Sequence, residues 1–224
     1  MASFKLNIAR IQGCPPPARL AAMMEKFGLP ESEEFGVLEV NPAEGALFGR
    51  IVRKSQQNVQ RLNPETKELT AEPVEKVTVY PFGVRPAAEV LEVYAGSAAA
   101  IEQVGVFFGS CLGLSTVVEA IEFDVVAAID KLMKTTAKFQ LRSVRVSDYS
   151  HNSYMTGPYA PKFLDSAHAQ EFLTEYAEAV TSAGVRFQAQ TGKAAVTLTP
   201  KACFGYSCNE DDQPMVQGIL RKLA

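Results

Sequence analysis

Two runs of strand-forming residues, Leu47–Leu62 and Glu68–Tyr80, meet at Asn63-Pro64-Glu65-Thr66, and this junction constrains the fold more than any other stretch of the chain. Asparagine suits the first position of a β-turn, and proline presets φ at the second. The two runs therefore fold back on each other as one long antiparallel hairpin. Its first strand contains GRIVRKSQQNVQRL (49–62), with four basic side chains, four amides and no carboxylate, in a chain of net charge −3.

With Leu62 opposite Lys67, Arg61 faces Glu68, Gln57 faces Glu72 and Lys54 faces Glu75. Each opposite-charge pair across the strands is worth roughly 0.2–1 kcal/mol, so the stretch largely neutralises itself. The competing reading is a binding surface for an anion or a partner made of Arg50, Arg53, Lys54, Gln56, Asn58 and Arg61. Arg50 and Lys54 share one face of the strand and Arg53 takes the other. A strand with charge on both faces cannot lie wholly over a core, so the hairpin projects as an arm able to enter a nucleic-acid groove or reach a partner subunit.

Elsewhere the pattern predicts a strand at Phe4–Ile11 and a helix opened by Pro15, Pro16 and Pro17 and stopped by Gly28. Strands follow at Val37–Asn41 and, after the hairpin, at Glu89–Ala95. Next come a helix over 97–112, a strand at Thr116–Phe123, a helix at Val125–Lys134 and strands at Phe139–Val146 and Tyr154–Phe163. A helix at Ser166–Val180, strands at 185–191, 194–199 and 202–207, and a helix near 212–223 complete the chain. Strands in consecutive runs argue for α+β over a doubly wound sheet. AGSAAAIE (95–102) and LDSAHAQE (164–171) share Ser, Ala, Ala and Glu, and each joins a strand to a helix, with Ser97 and Ser166 at the N-cap. The expected architecture is two ferredoxin-like units of antiparallel sheet, related by internal duplication, with helices on one face. The domains fall at 1–134, which includes the hairpin 47–80, and 135–224.

At 47% hydrophobic and 21% charged, the composition is that of a globular chain. The start of the chain lacks the basic-then-apolar pattern of a secretory signal, and the four cysteines show no framework spacing. Both features point to a cytoplasmic protein. Residues 95–118 carry one charged group, Glu102, but are too rich in Ala, Gly and Ser for a membrane span and read as a buried helix followed by a strand.

Chemistry-bearing motifs are few. His151 and His168 are the two histidines, so a histidine-rich metal site or relay is excluded. Cys203 and Cys208 in CFGYSC lack the second cysteine pair or histidines of a zinc site. Glu65-Thr66-Lys67 has the acid-x-Lys spacing of some nucleases, but a turn tip assembles no metal-binding carboxylates. No phosphate-binding or dinucleotide glycine loop is present, so no cofactor is expected. Gly105, Gly109 and Gly113 form a stripe at helical spacing, two of them at about 1 kcal/mol each relative to alanine, which calls for a close packing contact within the chain or with a partner. A second basic set, Lys134, Lys138, Arg142 and Arg145, reads either as a solvated face or as a binding surface.

Three functions compete. One is a non-catalytic intracellular binding subunit of a larger assembly, with a protein partner or a second copy of the chain. Another is a nucleic-acid-binding protein that uses the hairpin arm and the bases near 134–145, against which the acidic net charge counts. The third is an enzyme with a site around Asp148, His151 and Tyr154 in the hydroxyl-rich segment 147–157.

Overall fold

The computed structural model describes every residue except Met1, Ser32, Asn63, Glu65, Thr66, Ser153 and Tyr154, and only the backbone of His151, Asn152 and Met155. The chain is α+β, with eleven strands and five α-helices among the described residues. In order these are β1 (Ala2–Gln12), α1 (Pro17–Phe27), β2 (Phe35–Ala43), β3 (Ala46–Leu62), β4 (Leu69–Arg85), β5 (Val90–Val93), α2 (Ala99–Val106) and β6 (Val117–Ala120). There follow α3 (Val125–Thr135), β7 (Ala137–Asn152), β8 (Met155–Tyr159), α4 (Ser166–Glu175), β9 (Val180–Gln188), β10 (Lys193–Leu198), β11 (Cys203–Cys208) and α5 (Gln213–Arg221). No helix of the described residues is long and apolar enough to cross a membrane.

The chain divides into two compact units. The first comprises Met1–Arg10, Tyr94–Ala98 and Glu119–Ala224, and the second Ile11–Val93 and Ala99–Val118. The boundary drawn at 134/135 falls within the last turn of α3, inside the first unit.

In the first unit the strands run β1-β11-β10-β9-β7-β8, antiparallel throughout. Alternation sorts their side chains: Phe204, Tyr206 and Cys208 of β11, Ala194, Val196 and Leu198 of β10, and Ala183, Val185 and Phe187 of β9 are all buried. These residues face the helices, to which α3 contributes Val125, Ala128, Ile129 and Leu132 and α5 contributes Val216 and Leu220. Strands β8 and β9 flank β7 and are joined through α4, which packs on β7, forming a split β-α-β unit. Buried Asp212 ties α5 to the β9–β10 turn, accepting from the backbone N–H and the hydroxyl of Thr191, both at 2.9 Å.

In the second unit the order is β2-β3-β4-β5, a meander of sequential strands. Its core is aromatic: Phe107 meets Phe27 edge-on at 5.4 Å, and Phe108 meets Phe82 at the same separation. Arg85 forms an ion pair with fully buried Glu92 and lies over the ring of Phe48.

Several boundaries differ from those read in the sequence. The helix predicted over 97–112 is α2 followed by a π turn, Phe107–Cys111. The widened turn lets two consecutive phenylalanines, both fully buried, point inward. The helix predicted to Val180 ends at Glu175, because Ala183 and Val185 already follow strand alternation and β9 begins at Val180. Ser166 is not the N-cap of α4: Asp165 is, its carboxylate accepting from the Ala167 N–H at 3.0 Å.

Candidate binding surfaces

The hairpin is β3 and β4, paired continuously from Leu47↔Val84 to Leu62↔Leu69. Its register is two residues from the one read in the sequence. Leu62 faces Leu69 and not Lys67, Arg61 faces Thr70, Gln57 faces Val74 and Lys54 faces Val77. The connection is thus longer than the four residues assumed. Three of those four, Asn63, Glu65 and Thr66, lie outside the described residues. A two-residue slip preserves which face each side chain takes, so the assignment of faces is unaffected.

Pairing of β2 with β3 stops at Phe35↔Arg53, and β4 pairs with β5 only from Phe82. Between these limits β3 and β4 form a two-stranded ribbon, exposed on both faces from Gln56 to Leu62 and from Leu69 to Pro73. The arginines at its base and along it are paired. Arg50 meets Glu39 at 2.6 Å, Arg53 meets Glu34 at 2.5 Å and Arg61 meets Glu72 at 3.2 Å. Two of the three carboxylates come from β2 and the loop before it, not from the facing strand. Hydrogen bonding from Asn41, with Arg50 second, holds the Glu39 carboxyl below its usual range. Lys54 donates to the carbonyls of Glu31 (2.9 Å) and Pro30 (3.3 Å). One face of the ribbon carries Gln56, Asn58 and Gln60 from β3 together with exposed Leu62, Leu69 and Val77 (62%, 63% and 55%).

The second basic set divides. Lys134 is exposed in the last turn of α3. Lys138, Arg142 and Arg145 lie on β7, Lys138 with φ of 51° beside an irregularity of the β7–β9 ladder. None of these bases is ion-paired with a described residue. Arg142 lies beside Arg186 of β9 in one shallow concavity, and Lys138 lies beside Arg186 and Lys193 in another. Arg186, Lys193 and Lys5 escaped the sequence reading. Strand alternation marks each as outward-facing, but bringing Lys5 to the others needs the β1–β11 pairing, which joins residues about two hundred positions apart.

The three glycines do not act together. A Cβ at Gly105 would lie 3.3 Å from a methyl of Val118, so this glycine meets an internal packing need. Gly109 has only ordinary contact with the Leu114 carbonyl, and Gly113, at φ +65°, supplies the left-handed residue that ends the turn. The intervening π turn breaks the four-residue spacing.

Of the segment around Asp148, His151 and Tyr154, Tyr154 and the side chain of His151 lie outside the described residues, and Asp148 accepts from the Ser147 hydroxyl at 2.7 Å. Near it Tyr149, Tyr159, Phe172 and Tyr176 cluster, with ring separations of 4.4 Å for Tyr149–Tyr159 and 4.7 Å for Phe172–Tyr176. All four cysteines are free thiols. Burial pushes Cys14 up to about 11 and raises Cys111, Cys203 and Cys208 as well, so none is poised as a thiolate at neutral pH. Five residues apart on one strand, Cys203 and Cys208 take opposite faces. Among the described residues no group of three or more His, Cys, Asp or Glu is placed to hold a metal ion.

No protein-family model matches the chain, and no curated protein is similar to it in sequence.

Proposed function

We propose that the chain is a non-catalytic intracellular binding subunit that associates through its hairpin arm, with a second copy of itself as the partner. The observation that carries this reading is the ribbon beyond Arg53. It is solvated on both faces, the arginines at its base and along it are spent on internal ion pairs, and it still exposes Leu62, Leu69 and Val77 on one face. Exposed apolar groups on a projecting element mark an interaction site. The same face carries Lys54 and Glu75, one charge of each sign, which suits an isologous contact in which each arm offers the other what it needs. Four free thiols fit a reducing compartment. In this reading the two Ser-Ala-Ala-Glu junctions are copies of one ancestral unit. Their support is that each joins a strand to a helix and that the second builds the split β8-α4-β9 unit.

Sedimentation velocity at micromolar protein tests the assignment. The wild type is expected to sediment as a dimer or larger species, and the Leu62→Glu, Leu69→Glu variant as a monomer with an unchanged circular-dichroism spectrum. A wild type that is monomeric at every concentration overturns it.

A further inference from the structure

The face of the first unit's sheet that turns away from its helices is built from small residues with bases on either side. Read across the strands, one row is Ser3, Ser207, Ala195, Arg186 and Gln140, and the next is Lys5, Gly205, Thr197, Gly184 and Ser143. Neither row contains a carboxylate. The floor, on β11 and β10, is Gly205, Ser207, Ala195 and Thr197. Lys5 rises on the β1 side, and Arg142 and Arg186 rise on the β7–β9 side. A Cβ at Gly205 would lie 3.0 Å from the Lys5 ammonium, so the missing side chain is what lets Lys5 lean over the floor.

Lys5 on β1 and Arg186 on β9 stand three strand spacings apart, about 14 Å, with Arg142 one strand further on β7, and they flank a concavity of about 300 Å³. A second hollow of about 160 Å³, lined by Lys138, Gln140, Gln188 and Lys193, shares Arg186 with the first. Lys5, Lys138, Arg142, Arg186 and Lys193 are in no ion pair with a described residue. Five cations without an ion-pair partner among the described residues, along two adjoining hollows, call for a ligand that repeats its negative charge. Serine and threonine hydroxyls and the arginine forks between them supply the donors that phosphate oxygens accept.

We infer that this trough holds the sugar-phosphate backbone of a single-stranded nucleic acid, gripped between Lys5 on one wall and Arg142 and Arg186 on the other. A single strand can settle between the walls and follow the floor from one hollow to the next, whereas a duplex presents its phosphates on a convex cylinder that bridges the walls. No aromatic ring lies in either row, so the bases are not stacked and recognition is independent of sequence. The inference is separate from the association proposed for the arm and uses none of its residues.

Fluorescence anisotropy with a labelled 20-nucleotide oligo(dT), the full-length protein and a sodium chloride series tests it. If three phosphates are neutralised, the slope of log affinity against log salt is about −2 and binding weakens roughly 20-fold between 50 and 200 mM. The triple variant Lys5→Gln, Arg142→Gln, Arg186→Gln should lose most of that slope. Gly205→Leu, which leaves every charge in place but fills the floor, should also weaken binding, with circular dichroism confirming that both variants are folded. Arg53→Gln with Arg61→Gln on the hairpin should bind as the wild type does. Overturning results are an absence of salt-dependent binding by the wild type, full binding by the triple variant or by Gly205→Leu, equal loss from the hairpin variant, or equal or tighter binding of a duplex of the same length.

Discussion

In the hairpin Arg50, Arg53 and Arg61 each meet a carboxylate, whereas Lys5, Arg142 and Arg186 on the open face of the first unit meet none among the described residues. The stretch that looks most basic in the sequence is the one whose charge is already answered. The other bases are scattered over residues 5–193 and gather only when β1, β7, β9 and β10 join one sheet. A run of like charges along one strand reports little about binding until the partners across the ladder are known. Charge that converges from several strands and lacks partners marks a surface with something left to neutralise.

This contrast can be broken most severely at the root of the hairpin. Glu92→Ala leaves Arg85 beside a fully buried site without its carboxylate, and is expected to cost about 3–5 kcal/mol in urea unfolding. A loss under about 1 kcal/mol would mean that the Arg85–Glu92 pair is not structural. Further out, both members of the Arg53–Glu34 pair are more than a third solvated or close to it, so Arg53→Gln should cost at most about 1 kcal/mol. Arg186→Gln on the open face should fall within about 0.5 kcal/mol of the wild type in the same assay. Equal losses at the two positions would erase the distinction between answered and unanswered charge.

The smallest effect sharpens the register. A double-mutant cycle on Arg61 and Glu72 should return a coupling of about 0.2–1 kcal/mol that fades in high salt. The same cycle on Lys54 and Glu75 should return almost nothing, since Glu75 faces Gln56 and the Lys54 ammonium is held by the carbonyls of Pro30 and Glu31. Reversed couplings would restore the register in which Lys54 opposes Glu75.

Much of the fold is legible in local patterns. The alternation of Phe4, Leu6 and Ile8 marks the first strand, and the proline run and Gly28 bracket α1. Asp124 caps α3 by accepting from Val126 and Ala127. Local patterns fail where the deciding interaction is distant or where one residue type fits two roles. Ser166 resembles an N-cap, but the preceding aspartate is a better acceptor for the same free amides and takes the position. The glycine spacing in 105–113 assumes a regular helix, and the burial of Phe107 and Phe108 rules that out by opening a π turn. Of the open face, the sequence shows Lys138, Arg142 and Arg145 because they are near neighbours. It hides Lys5 because nothing local connects β1 to β11.

The pairing of Ala2–Asn7 with Cys203–Cys208 also bears on how the protein is made. The edge of β1 that takes β11 is completed only when a strand about two hundred residues downstream is in place. The whole of residues 11–118, apart from 94–98, meanwhile belongs to a unit that can collapse on its own contacts. Closing so long a loop is entropically costly and kinetically slow. Refolding of the isolated chain should therefore be biphasic, with a fast phase from the sequential meander β2-β3-β4-β5 and a slow one that ends when the β1–β11 ladder closes.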